Sequence, residues 1–228
     1  MRTEIASLRI LGLLMRQPVS GLTHLLGAVL AVAGLMILVT SAQRHGTGWH
    51  VLSFSVYSVS LIALYLSSSL YHLLPLSPAG VQAMRRLDHT MVAVLIAGSY
   101  TPICLVPLRE GAGTTLLAVV WSLVGAIGVI KVFWLDAPRW ITVGIYLAMG
   151  WLCVFAINPL MATMPAGGLF WLAAGGVFYS VGAVIYAVKW PDPLPELFGF
   201  HEVWHLFVMA GSACHWWMMM GHVLPIGA

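Results

Sequence analysis

Charge is what this chain lacks most. Ten basic and seven acidic residues are spread over 228, or 7%, against roughly 25% in a soluble domain. With 61% hydrophobic residues and a mean hydropathy of +0.95, it cannot coat a globule with polar surface. Disorder and coiled coils are excluded by the same composition. Cysteine is scarce too. Cys104, Cys153 and Cys214 are odd in number, and each sits in an apolar run. They read as small buried hydrophobes, with no disulfide framework and no zinc ribbon. The net charge of +3 is scattered, so no basic patch points to nucleic acid. No polar stretch is long enough to hold a soluble domain. The remaining solvent is a bilayer.

What is present is a set of long apolar runs. A bilayer core needs about 20 apolar residues per helix. Seven such runs lie near 21–41, 51–74, 87–108, 113–134, 140–161, 167–188 and 202–224. A β-barrel would show alternating segments of about ten residues, and these runs are continuous and about twice that length. The expected fold is an all-α membrane protein with seven transmembrane helices spanning residues 21–228. Residues 1–20 are expected to form a short amphipathic segment on the membrane surface. Arg2, Arg9 and Arg16 recur every seven residues on one face, with Ile5, Leu8, Leu11 and Met15 on another. Loop charge sets the orientation. A cytoplasmic N-terminus puts Arg2, Arg9, Arg16, Arg85, Arg86, Lys131, Arg139 and Lys189 inside, and only Arg44 and Arg109 outside. The C-terminus is then outside.

Nine histidines against ten Lys and Arg is the unusual ratio, because histidine is costly in a membrane unless paired or ligated. In the expected topology, the end of span 2 and the starts of spans 3 and 7 share one cytoplasmic depth. They carry Ser68 and His72, Asp88 and His89, and His201, Glu202 and His205. His201 and His205 are i, i+4 on one helical face, about 6 Å apart along the axis. His72 can add a third imidazole. Three histidines and an open fourth position match a catalytic zinc site. Ser68, one turn before His72, could bond a water or a substrate carbonyl. Asp88 could hold the attacking water, orient an imidazole from behind, or ligate the metal itself.

The same residues admit rival readings. His201-Glu202-Val203-Trp204-His205 fits the H-E-x-x-H pattern, in which glutamate is the general base of a zinc protease. Asn158-Pro159 is followed by Leu160-Met161, so the Asn-Pro-Asp-Gly segment of intramembrane zinc proteases is absent. A receptor or channel stapled by structural zinc is the non-enzymatic rival. His24 reads as an interhelical histidine, and His89 points about 100° from Asp88. His215, about 15 Å beyond His205, lines a cavity or bonds a neighbour. His45, His50 and His222 read as interfacial.

These motifs resemble the hemolysin III family, within the progestin and adipoQ receptor superfamily. The matching residues are Thr23-His24, Ser68-x-x-x-His72, Asp88-His89 leading to Gly98-Ser99-Tyr100-Thr101-Pro102, and His201-x-x-x-His205 with His215 ten residues on. They occur in order over essentially the whole chain. The resemblance implies a seven-helix, adiponectin-receptor-like fold with a cytoplasmic N-terminus, opposite to rhodopsin-type receptors. It also implies Zn2+ held by His72, His201 and His205. Adiponectin receptors are associated with ceramidase-type hydrolysis, so the implied activity is cleavage of a membrane lipid's amide or ester bond. Asp88 would be base or proton shuttle, and Ser68 would steady the water or the oxyanion. Glu202 is not a fixed part of the pattern. The short chain looks like a bacterial member, which places it in the plasma (inner) membrane. The alternative is a receptor-like or membrane-homeostasis protein with structural zinc and no turnover. The family name reflects cytolysis attributed to some members, and nothing in these residues looks like a pore-forming toxin.

Overall fold

The computed structural model describes residues 15–194 and 197–227. Seven helical segments and no strand form among them. The first four are α1 (Pro18–His45), α2 (Gly48–Leu73), α3 (Pro78–Leu105) and α4 (Gly113–Phe133). The fifth is composite: α5 (Arg139–Gly150), a 3-10 turn (Trp151–Ala156) and α6 (Ile157–Thr163). Then come α7 (Ala166–Val188) and α8 (Phe200–Met218), which runs into a π turn at Met219–Val223. Each segment coincides with one apolar run to within several residues. Most of the expected surface segment, including Arg2, Ile5, Leu8, Arg9 and Leu11, lies outside the described residues. Residues 18–20 belong to α1, which begins with proline at its first position, where a missing N–H costs nothing.

Five segments are long and apolar enough to cross a membrane. They are α1, α2, α4, the composite Arg139–Thr163, and α7. The other two, α3 and α8, fall short because they carry Asp88 and His89, or His201, Glu202 and His205. The polar residues that weaken the membrane signal are those expected to do the chemistry.

The break in the fifth segment has a local cause. Pro159 offers no N–H, and its ring crowds the carbonyl four residues earlier. The helix tightens into the 3-10 turn just upstream. Within a bilayer, such a break persists only where protein satisfies the freed groups. Tyr100 of α3 does so. Its hydroxyl donates to the Gly150 carbonyl at 2.6 Å and accepts the Cys153 N–H at 2.8 Å.

The helices close into a ring. Packing runs α4–α3–α2–α1–α8–α7, and α5 joins α7 back to α3. Small residues permit close approach: Gly98 of α3 faces Ser60 and Tyr57 of α2, and Gly175 of α7 faces His215 and the Gly211 carbonyl. One hydroxyl ties three helices. Ser212 of α8 donates to the Val208 carbonyl, so Tyr65 of α2 and Tyr179 of α7 both donate to Ser212 Oγ, each at 2.9 Å. In contrast, α4 and α5 share no extended packing, and an apolar cleft of about 210 Å³ lies between them. The outer surface is apolar, with Phe155 90% and Phe133 84% exposed. Trp134, Trp140 and Trp190 are exposed where α4, α5 and α7 reach one end of the bundle. This is the aromatic belt of a lipid-facing protein.

Candidate metal centre

The last turn of α2 and the first turns of α8 meet beside the start of α1. This brings His72, His201 and His205 together, with one ring nitrogen of each within 4.8 Å of the others. His72 Nε2 and His201 Nε2 are 3.2 Å apart. His72 and His205 are buried, at 2% and 0% exposure.

The state of two imidazoles follows from what stands behind them. Gln17 Oε1 faces His72 Nδ1 at 2.5 Å. An amide oxygen only accepts, so His72 carries its proton on Nδ1 and leaves Nε2 bare. Thr23 Oγ1 donates to the Ser20 carbonyl at 2.8 Å. Toward His205 Nδ1, 3.2 Å away, that hydroxyl must accept, so His205 is also protonated on Nδ1. Its bare Nε2 is buried without a hydrogen-bond partner among the described residues. A shared proton would satisfy His72 and His201 and still leave His205 unpaired. A cation answers all three nitrogens. Ligand nitrogens at 2.0–2.1 Å from a tetrahedral metal stand about 3.3 Å apart, which the His72–His201 spacing matches. The residues therefore fit a metal ion, and the hydrogen bonds that His72 and His205 donate to Gln17 and Thr23 are those that orient ligating histidines. Imidazole nitrogens suit zinc, copper, iron or nickel.

Around the three, the structure places the other candidates. Asp88 is buried on α3 with His89 Nδ1 3.5 Å from its carboxylate, so His89 is a contact of Asp88 and does not point away from it. Asp88 stands outside the three-histidine group. Ser68 is buried one turn before His72 and is not among the residues lining the adjoining cavity. Glu202 accepts the Gly199 N–H at 2.9 Å and the Ser20 hydroxyl, so both its oxygens secure the start of α8. His24 is stacked on His205, centroids 3.6 Å apart, with both ring nitrogens buried and unpartnered.

Three roles escape sequence reasoning: Gln17 is not singled out there at all, and Thr23 and His24, though part of the motif match, are given no place at the three histidines. Their signal is position, since all three lie at the same end of α1. The remaining histidines serve the frame. His50 is buried rather than interfacial. Its Nδ1 accepts the Thr47 N–H at 3.0 Å, which leaves Nε2–H for the Val223 carbonyl at 3.2 Å. His215 lines the cavity and also bonds the Leu172 carbonyl at 3.3 Å. His45 is exposed, and His222 fits against Gly167 and Gly168.

A cavity of about 770 Å³ opens beside the cluster. Its size is within the range of small-molecule sites. It follows α3 from Arg85 to Ile103, about 27 Å at helical rise and nearly the thickness of a hydrocarbon core. The end near His72, Asp88 and His201 is polar. Deeper, Leu95, Ile96, Leu172 and Val208 make the walls. The cavity is thus polar at the histidine end and mostly apolar along its depth.

The comparisons agree with the motifs. Residues 14–216 match the model of the family described as Haemolysin-III related. The chain is 40% identical over 207 residues to Hemolysin-3 of Bacillus cereus, covering 90% of this chain and 91% of the relative. It is 35% identical over 207 residues to a Hemolysin-3 homolog of Bacillus subtilis (strain 168), covering 91% and 94%. A more distant relative, an adiponectin receptor protein of Drosophila melanogaster, is 22% identical over 212 residues, covering 85% of this chain and 48% of its own length.

Proposed function

The chain belongs to the Haemolysin-III related family and is an integral multi-pass protein of the bacterial plasma membrane; on that footing we propose that it is a zinc-dependent hydrolase of a lipid amide or ester bond. One arrangement carries the reading: three convergent imidazoles, two with tautomers set from behind, at the polar end of a deep apolar cavity. His72, His201 and His205 hold the ion. Bound there, zinc supplies a Lewis acid for the carbonyl and an activated water. Asp88 takes the water's proton on its carboxylate and returns it to the leaving group. The apolar walls align the acyl chain and keep bulk water from the bond. Glu202 is no rival base, because Ser20 and the Gly199 N–H hold both its oxygens. That disfavours the protease reading.

The same proposal includes seven spans with a cytoplasmic N-terminus. Arg16, Arg85, Arg86, Lys131, Arg139 and Lys189 gather at the histidine end, and Arg44 and Arg109 at the other. Basic residues concentrate on the cytoplasmic side.

The test begins with elemental analysis of detergent-purified protein. About one zinc per chain is expected, lost in His72→Ala, His201→Ala and His205→Ala. A panel of fatty-acyl amides and esters is then assayed for fatty acid release. Asp88→Asn should keep its metal and lose turnover. An unchanged rate removes Asp88 from the mechanism. Zinc retained with no hydrolysis of any lipid, and a sharply lower Tm in His205→Ala, would make the metal a structural staple.

A further inference from the structure

Four cations line the cavity: Arg16, Arg85, Lys131 and Arg139. Three carboxylates line it with them, and among the described residues none is within ion-pair distance of Lys131 or Arg139. Asp88 has His89 beside it at 3.5 Å. Asp192 accepts the Phe200 N–H at 3.2 Å. Glu202 is held by the Gly199 N–H and Ser20. Two of the cations are engaged as well. Arg85 pairs with Asp136 at 2.7 Å, and Arg16 bonds the Tyr71 carbonyl at 2.8 Å.

Lys131 and Arg139 have no carboxylate among the described residues. Lys131 is 3% exposed, and its Nζ donates to Thr142 Oγ1, a neutral acceptor, at 3.0 Å. Arg139 lies over the rings of Tyr186 and Phe200, and one of its Nη atoms is buried without an acceptor. A lysine in the last turn of a spanning helix ordinarily extends to the headgroups. Lys131 turns inward instead, where the cavity meets the apolar cleft between α4 and α5. A buried ammonium is strongly disfavoured unless an anion pairs with it. Thr142, which holds Lys131, lies one turn after Arg139 on α5, and the Tyr186 ring beneath Arg139 stands 5.8 Å from that of His201, so this cationic wall adjoins the metal centre.

We propose that Lys131 and Arg139 form an anion site that holds the phosphate or carboxylate of a lipid headgroup while the acyl chain lies along α3. The inference rests on the reading that the cavity takes a lipid, and it requires neither metal nor turnover.

The experiment uses the full chain in detergent. Short-chain phosphatidylglycerol and the matching diacylglycerol, which lacks the phosphate, are titrated separately, and thermal stabilisation gives each affinity. Phosphatidylglycerol should bind at least about ten-fold more tightly, the worth of one charge-assisted hydrogen bond. Lys131→Met should abolish that preference, keep its metal and melt no lower than wild type without lipid, since an uncompensated charge is gone. Lys131→Arg should keep the preference, as should Arg44→Gln at the opposite end. Inorganic phosphate titrated alone separates the sources. Protection by lipid only assigns the anion to a headgroup, and equal protection by phosphate assigns it to a soluble ion. Equal wild-type affinity for the two lipids overturns the anion site, as does a preference that survives Lys131→Met or disappears in Arg44→Gln. Binding of neither lipid would overturn the lipid reading beneath it.

Discussion

Replacing Thr23 by valine tests whether the hydrogen bonds behind the histidines set the metal site. The two side chains are nearly the same shape, so the change removes one hydroxyl and little else. In the wild type that hydroxyl donates to the Ser20 carbonyl at 2.8 Å and accepts from His205 Nδ1 at 3.2 Å. Without it, the Nδ1 proton of a fully buried imidazole has no acceptor, which costs about 1–3 kcal/mol. The ring recovers part of that by moving its proton to Nε2, the nitrogen the metal needs. Loss of such a partner lowers metal affinity about 10–100-fold, or about 1.4–2.7 kcal/mol. The assay is competition against a chelator of known affinity, with bound metal measured by elemental analysis. Thr23→Ser keeps the hydroxyl and should stay within about three-fold of wild type, a gap of about 0.6 kcal/mol. A Thr23→Val protein that folds and binds metal as tightly as Thr23→Ser would refute the reasoning.

Two further outcomes follow from single hydrogen bonds. Glu202→Gln keeps an amide oxygen to accept the Gly199 N–H and turns its NH2 toward the Ser20 hydroxyl, which can accept, so lipid hydrolysis should stay within a few-fold of wild type, measured as fatty acid release; a loss of about 10²–10⁴-fold would instead mark a general base. Tyr100→Phe leaves the Cys153 N–H and the Gly150 carbonyl unpaired at the broken fifth segment, and thermal unfolding should report a loss of about 1–3 kcal/mol.

The helical segments were legible because run length is a direct consequence of bilayer thickness. The depth of the site was legible for the same reason. His72, Asp88 and His201 fall at ends of runs, and alternating helix direction brings those ends together. What did not follow was rotation about each helix axis. Lipid and protein interior are equally apolar, so hydrophobicity does not say which face turns inward. Hence Lys131 reads as a loop charge and His50 as interfacial, and both are buried. The stacking of His24 on His205 and the hydrogen bond from His205 to Thr23 are likewise facts of rotation. The broken fifth segment did have a signal in Pro159, whose effect falls on the preceding turn.

The Ser212 hydroxyl has a mechanical meaning. The helices that supply the three imidazoles, α2 and α8, are pinned through Tyr57, Tyr65 and Tyr179 to one residue. The cluster therefore rides on a single stiff body. By contrast, α4 and α5 pack little against each other, and Lys131 and Thr142 bond across the seam between them. A load on the cavity wall would meet that thin seam before it reached the spacing of the ligands, much as a vice keeps its fixed jaw true while the other travels.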